Sequence, residues 1–209
     1  YGNFDSKNRF VVFGTDIHPD HHNLLAIPTS GTTYKILNAS DGGIFISNSS
    51  ATPGVNQGDW TMVGRTYNTS QFYGADKRPG FDEYFGGMQD NGTWRSPTGT
   101  NASNTTNYVF SIGGDGFEVI WHPLDDSKLL GGSQGNNFRK SNDGGNTWTS
   151  ATNGLSGTHP FVSKLASSKD NPDVVFTLSS DGVFRSNDFG TNWTLTPIDE
   201  KWGSTSFMD

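Results

Sequence analysis

Two eight-residue segments of this chain repeat closely, and their spacing restricts the fold more than any other feature. The segments are Ser141–Trp148 and Ser186–Trp193, and both read Ser-x-Asp-x-Gly-x-(Thr/Asn)-Trp. They lie 45 residues apart. A fixed period of ~45 residues is typical of repeat folds in which each unit is one small sheet.

The same frame extends towards the N-terminus in weaker form. A short strand is predicted before each repeat of the frame, and another lies further upstream, as at Leu24–Ile27, Phe117–Trp121 and Phe161–Leu165. The pattern predicts an all-β fold, a β-propeller of about four four-stranded antiparallel blades. A sandwich can have similar strand spacing, but the recurring motif favours the propeller. The aromatic residues of the frame are spaced 49, 44 and 46 residues apart: Phe45, Trp94, Phe138 and Phe184.

The frame divides the chain into blades of one continuous propeller segment spanning residues 1–209. Four-bladed closure is possible, but because larger rings are commoner for this type of repeat, we expect this segment to belong to a larger propeller. The predicted boundaries are 16–64, 69–112, 114–155 and 158–198, with 199–209 beginning a further blade.

The residues of the repeated segment are those that a tight turn requires. Asp143 and Asp188 can accept hydrogen bonds from turn N–H groups that lack a strand partner. Gly145 and Gly190 can adopt the positive φ that such a turn needs. We therefore interpret the segment, including Ser141, Ser186, Trp148 and Trp193, as a structural corner, with the indoles packed between blades.

Composition excludes several classes of function. The chain of 209 residues has a formal net charge of −7 and no basic run, which argues against nucleic-acid binding. We also expect no membrane insertion, because no apolar stretch approaches the ~20 residues that cross a bilayer. Cysteine is absent, so thiols give no sign of the redox compartment. Seven Asn-x-Ser/Thr sequons are compatible with an extracellular, secreted protein.

The two segments resemble the Asp-box repeats of sialidases, sortilin-type receptors and xyloglucan-cleaving propellers. More of the chain resembles secreted, sortilin-like bacterial proteins, through Asp16–His22, Ser40–Ile44, Thr69–Tyr73 and Gly86–Gly92. The resemblance implies an extracellular propeller of seven or more blades, often followed by adhesion or sorting domains. The first two repeats depart from it, because neither has an Asp box: the loop 48–59 leads to Trp60 in one, and Ser96-Pro-Thr-Gly stands in the other.

One polar cluster has the ligand types of a transition-metal site. Asp16, His18, Asp20 and His22 alternate along the chain, so an extended backbone places them on one face. Pro19 interrupts the strand, however, and the spacing matches no known ligand pattern. The alternative is that these residues line a channel or rim without metal. We expect no other cofactor.

Three aspartates that lie one or two residues before a glycine are candidates for acid or base catalysis: Asp41, Asp90 and Asp115. Glycoside hydrolysis needs two carboxyl groups ~5–9 Å apart. The competing interpretation is turn chemistry at the start of strands, which Asp and Gly favour. Arg95, Arg139 and Arg185 are assigned equivalent blade positions, which indicates a structural role rather than the arginine cluster of a sialidase.

Four aromatic residues are candidates for stacking on sugar rings: Trp60, Phe72, Tyr73 and Trp94. For most of them the alternative is packing between blades. The favoured function is a non-catalytic module that binds a glycan or a surface protein. The first alternative is part of a polysaccharide-degrading enzyme. The second is a component of an extracellular assembly. Whatever the function, the expected partners are the remaining blades of its own propeller or another chain.

Overall fold

A computed structural model describes residues 2–4, 10–12, 17–18, 20–64 and 70–197. These residues are all-β, and none of them forms a helix that could span a membrane. The chain divides into two compact units, Tyr1–Thr69 and Ser70–Asp209. Asp16, Pro19 and residues 199–209, for which a metal ligand, a strand break and a further blade are predicted, lie outside the described residues.

The first unit contains a two-stranded antiparallel pair, which the sequence did not predict, and one four-stranded sheet. The pair consists of β1 (Gly2–Phe4) and β2 (Phe10–Val12). The sheet, here called blade 1, consists of β3 (His21–Ser30), β4 (Thr33–Ser40), β5 (Gly43–Ser47) and β6 (Trp60–Met62).

The second unit contains three four-stranded antiparallel sheets, here called blades 2, 3 and 4. Blade 2 consists of β7 (Gly74–Lys77), β8 (Tyr84–Met88), β9 (Gly92–Arg95) and β10 (Val109–Ile112). Blade 3 consists of β11 (Val119–Trp121), β12 (Leu129–Ser133), β13 (Asn137–Ser141) and β14 (Thr149–Ser150). Blade 4 consists of β15 (Ala166–Ser167), β16 (Val175–Ser179), β17 (Gly182–Ser186) and β18 (Thr194–Leu195).

In each blade, strands adjacent in sequence pair with each other, so the chain folds as a series of meanders. This is the blade of the β-propeller fold, and the predicted fold class is confirmed.

Because the strands are antiparallel, the loops of the second unit lie at two opposite edges of its sheets. One edge, here called the link edge, carries the links into each first strand and the turns between the second and third strands. The links are 71–74, 113–117 and 156–163, and the turns are 88–92, 133–137 and 179–182. The opposite edge, here called the box edge, carries the Asp boxes and the turns between the first and second strands, 78–83, 122–128 and 168–174.

The core of the second unit lies between consecutive blades. Phe85 and Ile112 of blade 2 pack against Val119, Trp121 and Leu129 of blade 3. A second cluster joins blades 3 and 4 in the same way: Ile120, Leu130, Phe138, Ala151, Val175, Phe184, Phe189 and Trp193. Each blade therefore buries both of its faces only when it has two neighbours.

The strand register corrects one prediction from the sequence. Arg95 and Arg185 stand immediately before Ser96 and Ser186, whereas Arg139 stands two residues before the corresponding Ser141. Because side chains alternate along a strand, Arg139 lies on the opposite face from Arg95 and Arg185. The residue equivalent to them in blade 3 is Lys140. The same shift puts Phe138 on the opposite face from Phe184, so the aromatic residues are not all equivalent.

Candidate functional site

The first Asp box is a turn closed by its own side chains. The Asp143 carboxylate accepts bonds from the backbone N–H groups of Asn146 and Thr147 at 3.0 and 2.9 Å. It also accepts from the Thr147 and Ser141 hydroxyls at 2.6 and 2.7 Å. The Ser141 hydroxyl in turn accepts from the N–H of Gly145 at 2.8 Å.

The second Asp box repeats this geometry. The Asp188 carboxylate accepts from the Asn192 backbone at 2.8 Å, from the Asn192 amide at 2.7 Å and from the Ser186 hydroxyl at 2.7 Å. Its indole differs, because Trp193 donates to the Ala151 carbonyl of blade 3 at 2.8 Å, whereas Trp148 donates within its own box.

Both carboxylates are held in their charged form by these bonds. Hydrogen bonds from Thr147 and Ser141 lower the pKa of Asp143 to about 2. Burial raises the pKa of Asp188, but hydrogen bonds from Asn192 and Ser186 outweigh it, and the net pKa is lowered. A carboxyl group with a lowered pKa is deprotonated at neutral pH and is therefore a poor general acid. The boxes therefore offer structure rather than catalysis.

Blade 1 builds a comparable corner from a longer loop. The Asp59 carboxylate accepts from the Asn48 amide and from the Asn56 backbone, both at 2.9 Å. The Trp60 indole donates to the Gly54 carbonyl at 3.1 Å, and its ring covers that glycine. Trp60, a candidate for sugar stacking, thus closes its own loop.

The candidate metal ligands form separate histidine–carboxylate pairs in the first unit. His18 Nδ1 lies 3.4 Å from Asp20 Oδ2, while His22 pairs with Asp41 on the turn between β4 and β5. Among the described residues of this unit, no three ligand atoms come within 4.8 Å of one another. A metal at this cluster stays a prediction.

The aspartates proposed for catalysis have structural contacts. The Asp41 backbone donates to the Asp20 carbonyl at 3.2 Å, and its carboxylate pairs with His22. Asp90 occupies a turn with a φ of 64°, a value that Asp tolerates better than most residues. Its N–H donates to the Asp115 carboxylate at 2.9 Å, which joins the link of blade 3 to the turn of blade 2.

A row of three aromatic rings crosses the link edge of the second unit. Tyr73, Phe117 and Phe161 come from blades 2, 3 and 4, and their ring centroids are 5.1 and 5.6 Å apart in edge-to-face contacts. Phe117 is fully buried, whereas Tyr73 and Phe161 are 42% and 46% exposed. We call these residues the aromatic row. The candidate Phe72 lies beside it, exposed, with its ring over Gly86.

Polar side chains accompany the aromatic row. The Tyr73 hydroxyl donates to Gln89 Oε1 at 2.9 Å. The Gln134 amide oxygen accepts from the Asp115 N–H at 2.9 Å, and its side chain is exposed. The Asn136 amide contacts His159 Nδ1 at 3.3 Å. Burial lowers the pKa of His159, more than the Asp181 charge raises it.

Sequence reasoning identified one member of the aromatic row and missed two. Tyr73 was a candidate, while Phe117 and Phe161 were assigned to strands. The missed signal is a period, because Phe117 follows Tyr73 by 44 residues and precedes Phe161 by 44. The candidate Trp94 lies elsewhere: it donates to the Asn91 carbonyl at 2.6 Å and contacts Phe110 edge to face.

No family model and no curated protein matches the chain. Among solved structures, it is similar to an ancestral GH74 enzyme, with 17% identity, a TM-score of 0.49, and coverage of 87% of this chain and 24% of that one. It is similar to YCF48 from Cyanidioschyzon merolae, with 16% identity, a TM-score of 0.40, and coverage of 78% and 50%. It is also similar to the GH74 enzyme of Niastella koreensis, with 15% identity, a TM-score of 0.35, and coverage of 85% and 38%. The chain spans half or less of each of these structures, and no residue role carries over at such values.

Proposed function

We propose that this chain is a non-catalytic Asp-box propeller module of a secreted or cell-surface bacterial protein, and that it binds a glycan at the link edge of blades 2 to 4. The aromatic row is the observation that carries the proposal. Two exposed rings flank a buried one, which holds them in place, and amide and carboxylate groups lie alongside.

The chemistry of this edge suits a neutral or weakly polar sugar. Aromatic faces offer apolar area that does not need to be ordered on binding, and a few fixed polar groups set the orientation of the ligand. Gln89, Asp115 and Gln134 supply such groups next to the rings. The contacts of the Asp115 carboxylate with the turn support binding rather than acid catalysis.

A glycan array probed with the 209-residue chain tests the proposal, followed by titration of the retained oligosaccharide. We expect Tyr73→Ala and Phe161→Ala each to weaken binding ~10-fold, since a lost aromatic anchor costs more than 1 kcal/mol. Phe110→Ala is the matched control, because that ring is 55% exposed on the outer strand β10. Retention of no glycan, or equal affinity of all three variants, contradicts the proposal.

A reducing-sugar assay separates binding from hydrolysis. If polysaccharide is cleaved and cleavage is lost in Asp41→Ala, Asp90→Ala or Asp115→Ala, the module is a glycoside hydrolase and the non-catalytic assignment is wrong. We expect no product release by the wild-type chain.

A further inference from the structure

The link edge of blades 2 to 4 carries negative charge and no permanent positive charge. Its links and turns contain three aspartates but neither lysine nor arginine. Two of the aspartates, Asp90 and Asp181, lie in the turns, and Asp115 lies in the link of blade 3. The edge that carries the aromatic row is therefore acidic.

Asp115 lies next to the middle ring of the aromatic row. It stands two residues before Phe117, and its backbone N–H donates to Gln134 Oε1 at 2.9 Å. Its carboxylate accepts from the backbone N–H of Asp90, a neutral donor, at 2.9 Å. Within the described part of the chain, Asp115 forms no ion pair, so no cation balances its charge.

Asp181 lies at the blade 4 end of the aromatic row. Its turn is fixed to the link that carries Phe161, because the Thr158 N–H donates to the Ser180 hydroxyl and the Ser180 N–H to the Thr158 carbonyl, both at 2.8 Å. The Asp181 carboxylate accepts from the Ser156 hydroxyl at 2.6 Å. Asp181 is exposed and has no ion-pair partner among the residues that the structure describes.

Two basic side chains belong to or follow the link of blade 4, and neither gives this edge a net positive charge. Lys164 Nζ lies 3.4 Å from Glu118 Oε1, so a carboxylate matches this lysine. His159 stays neutral at pH 7, since burial lowers its pKa more than the charge of Asp181 raises it. The charges of Asp115 and Asp181 therefore determine the sign of the potential beside the rings.

The box edge of the same blades has the opposite arrangement. Every aspartate on its first two turns, 78–83 and 122–128, forms an ion pair with lysine or arginine. Asp115 and Asp181 thus differ from these aspartates in having no basic partner. The box-edge pairs are Lys77 with Asp82, Arg78 with Asp126, and Lys128 with Asp125.

We propose that Asp115 and Asp181 make the glycan site selective by charge, so that it binds uncharged sugars and amino sugars and excludes sugars that carry carboxylate or sulfate groups. This inference rests on the proposed function, because the aromatic row remains the surface on which the sugar stacks. An acidic glycan on the row brings its charge next to carboxylates that no cation balances, and like charges that meet in an interface lower affinity. An ammonium group is attracted both by the carboxylates and by the faces of the rings.

Oligosaccharides that share one backbone and differ in charge test the proposal. The probes are glucose, glucosamine and glucuronate oligomers of one linkage, and the corresponding galactose set. In the set that the 209-residue chain retains, we expect the uronate to bind about 5-fold more weakly than the neutral oligomer at low salt. The difference should vanish at about 1 M salt, where charges are screened beyond ~3 Å.

The result separates this inference from the proposed function. Equal affinity for the neutral oligomer and the uronate at low salt overturns the charge selectivity and leaves glycan binding in place. Retention of no sugar of any charge contradicts the proposed function and this inference together.

Substitutions assign the selectivity to the two carboxylates. Asp115→Asn and Asp181→Asn keep an oxygen that accepts the existing hydrogen bonds, and circular dichroism melts check that the variants fold. We expect each to reduce the ratio of neutral to uronate affinity about 2-fold at low salt. Asp170→Asn is the matched control, because it removes the same charge from an exposed aspartate on the box edge. An equal change of the ratio in all three variants, or no change in any, overturns the proposal.

Discussion

At Asp143 a single side chain replaces the strand partners that a turn has lost. Its carboxylate accepts bonds from Asn146, Thr147 and Ser141, and its pKa falls to about 2 from the usual 3.8. The unfolded chain therefore binds a proton at a higher pH than the folded chain does. The stability that the bonds provide is complete above about pH 4 and is lost as the pH falls towards 2.

A substitution at Asp143 tests this pH dependence of stability. Asp143→Asn should lower the thermal midpoint at pH 7 and flatten its fall between pH 4 and 2. Circular dichroism melts across that range measure both effects. Asp170→Asn, an exposed aspartate on the turn 168–174, is the control and should leave the profile of the wild type. An identical profile in Asp143→Asn would show that the box does not stabilise the fold.

A histidine on the box edge gives an independent pH dependence. Burial and the nearby charge of Lys128 lower the pKa of His122, and the opposing effect of Asp173 is smaller. Below the unfolded pKa of ~6.5, the unfolded chain takes up this proton first, so stability falls as the pH falls. The loss in thermal midpoint between pH 7.5 and pH 5.5 should be smaller in His122→Gln than in the wild type. Equal losses contradict this prediction.

At the scale of a strand, close backbone contact between blades depends on glycine. A Cβ at Gly87 in β8 would lie 2.2 Å from the backbone carbonyl oxygen of Phe117. Gly87→Ala should cost about 2 kcal/mol or more of unfolding free energy, because the link of blade 3 must shift. Gly113→Ala is the control, since its Cβ would meet only the Phe110 ring at 3.7 Å. Urea unfolding that shows equal costs contradicts the packing described here.

The second and third strands of each blade could be predicted from the sequence, but the first strand of blade 4 could not. β8, β12 and β16 coincide with the apolar runs that the sequence shows before each glycine-containing turn. Phe161–Leu165 was predicted as a strand, yet the strand is β15, at Ala166–Ser167. The reason is a contact with blade 3: the N–H of Asn136 donates to the Ser163 hydroxyl and that of Gly135 to the Pro160 carbonyl. Such distant pairing leaves no local pattern.

At the scale of the molecule, the repeat predicted how many sheets form but not what lies between them. The Asp boxes could be assigned from turn chemistry alone, because every partner of Asp143 lies within four residues. The aromatic row and the contact of Lys140 with the next Asp box join residues at least 40 positions apart. The repeat frame shifts by one residue at Arg139, and the sequence therefore assigned Arg139, rather than Lys140, to the position of Arg95 and Arg185.

Blades 3 and 4 each rest on the preceding blade through one aromatic pair. Double-mutant cycles to alanine test the pairs Phe85 with Trp148 and Phe138 with Trp193, which are in ring contact. We predict a coupling free energy of about 1 kcal/mol for each. The crossed pairs, Phe85 with Trp193 and Phe138 with Trp148, should be additive within ~0.5 kcal/mol. Coupling of the crossed pairs that equals or exceeds that of the contacting pairs would contradict the stacking order of the blades.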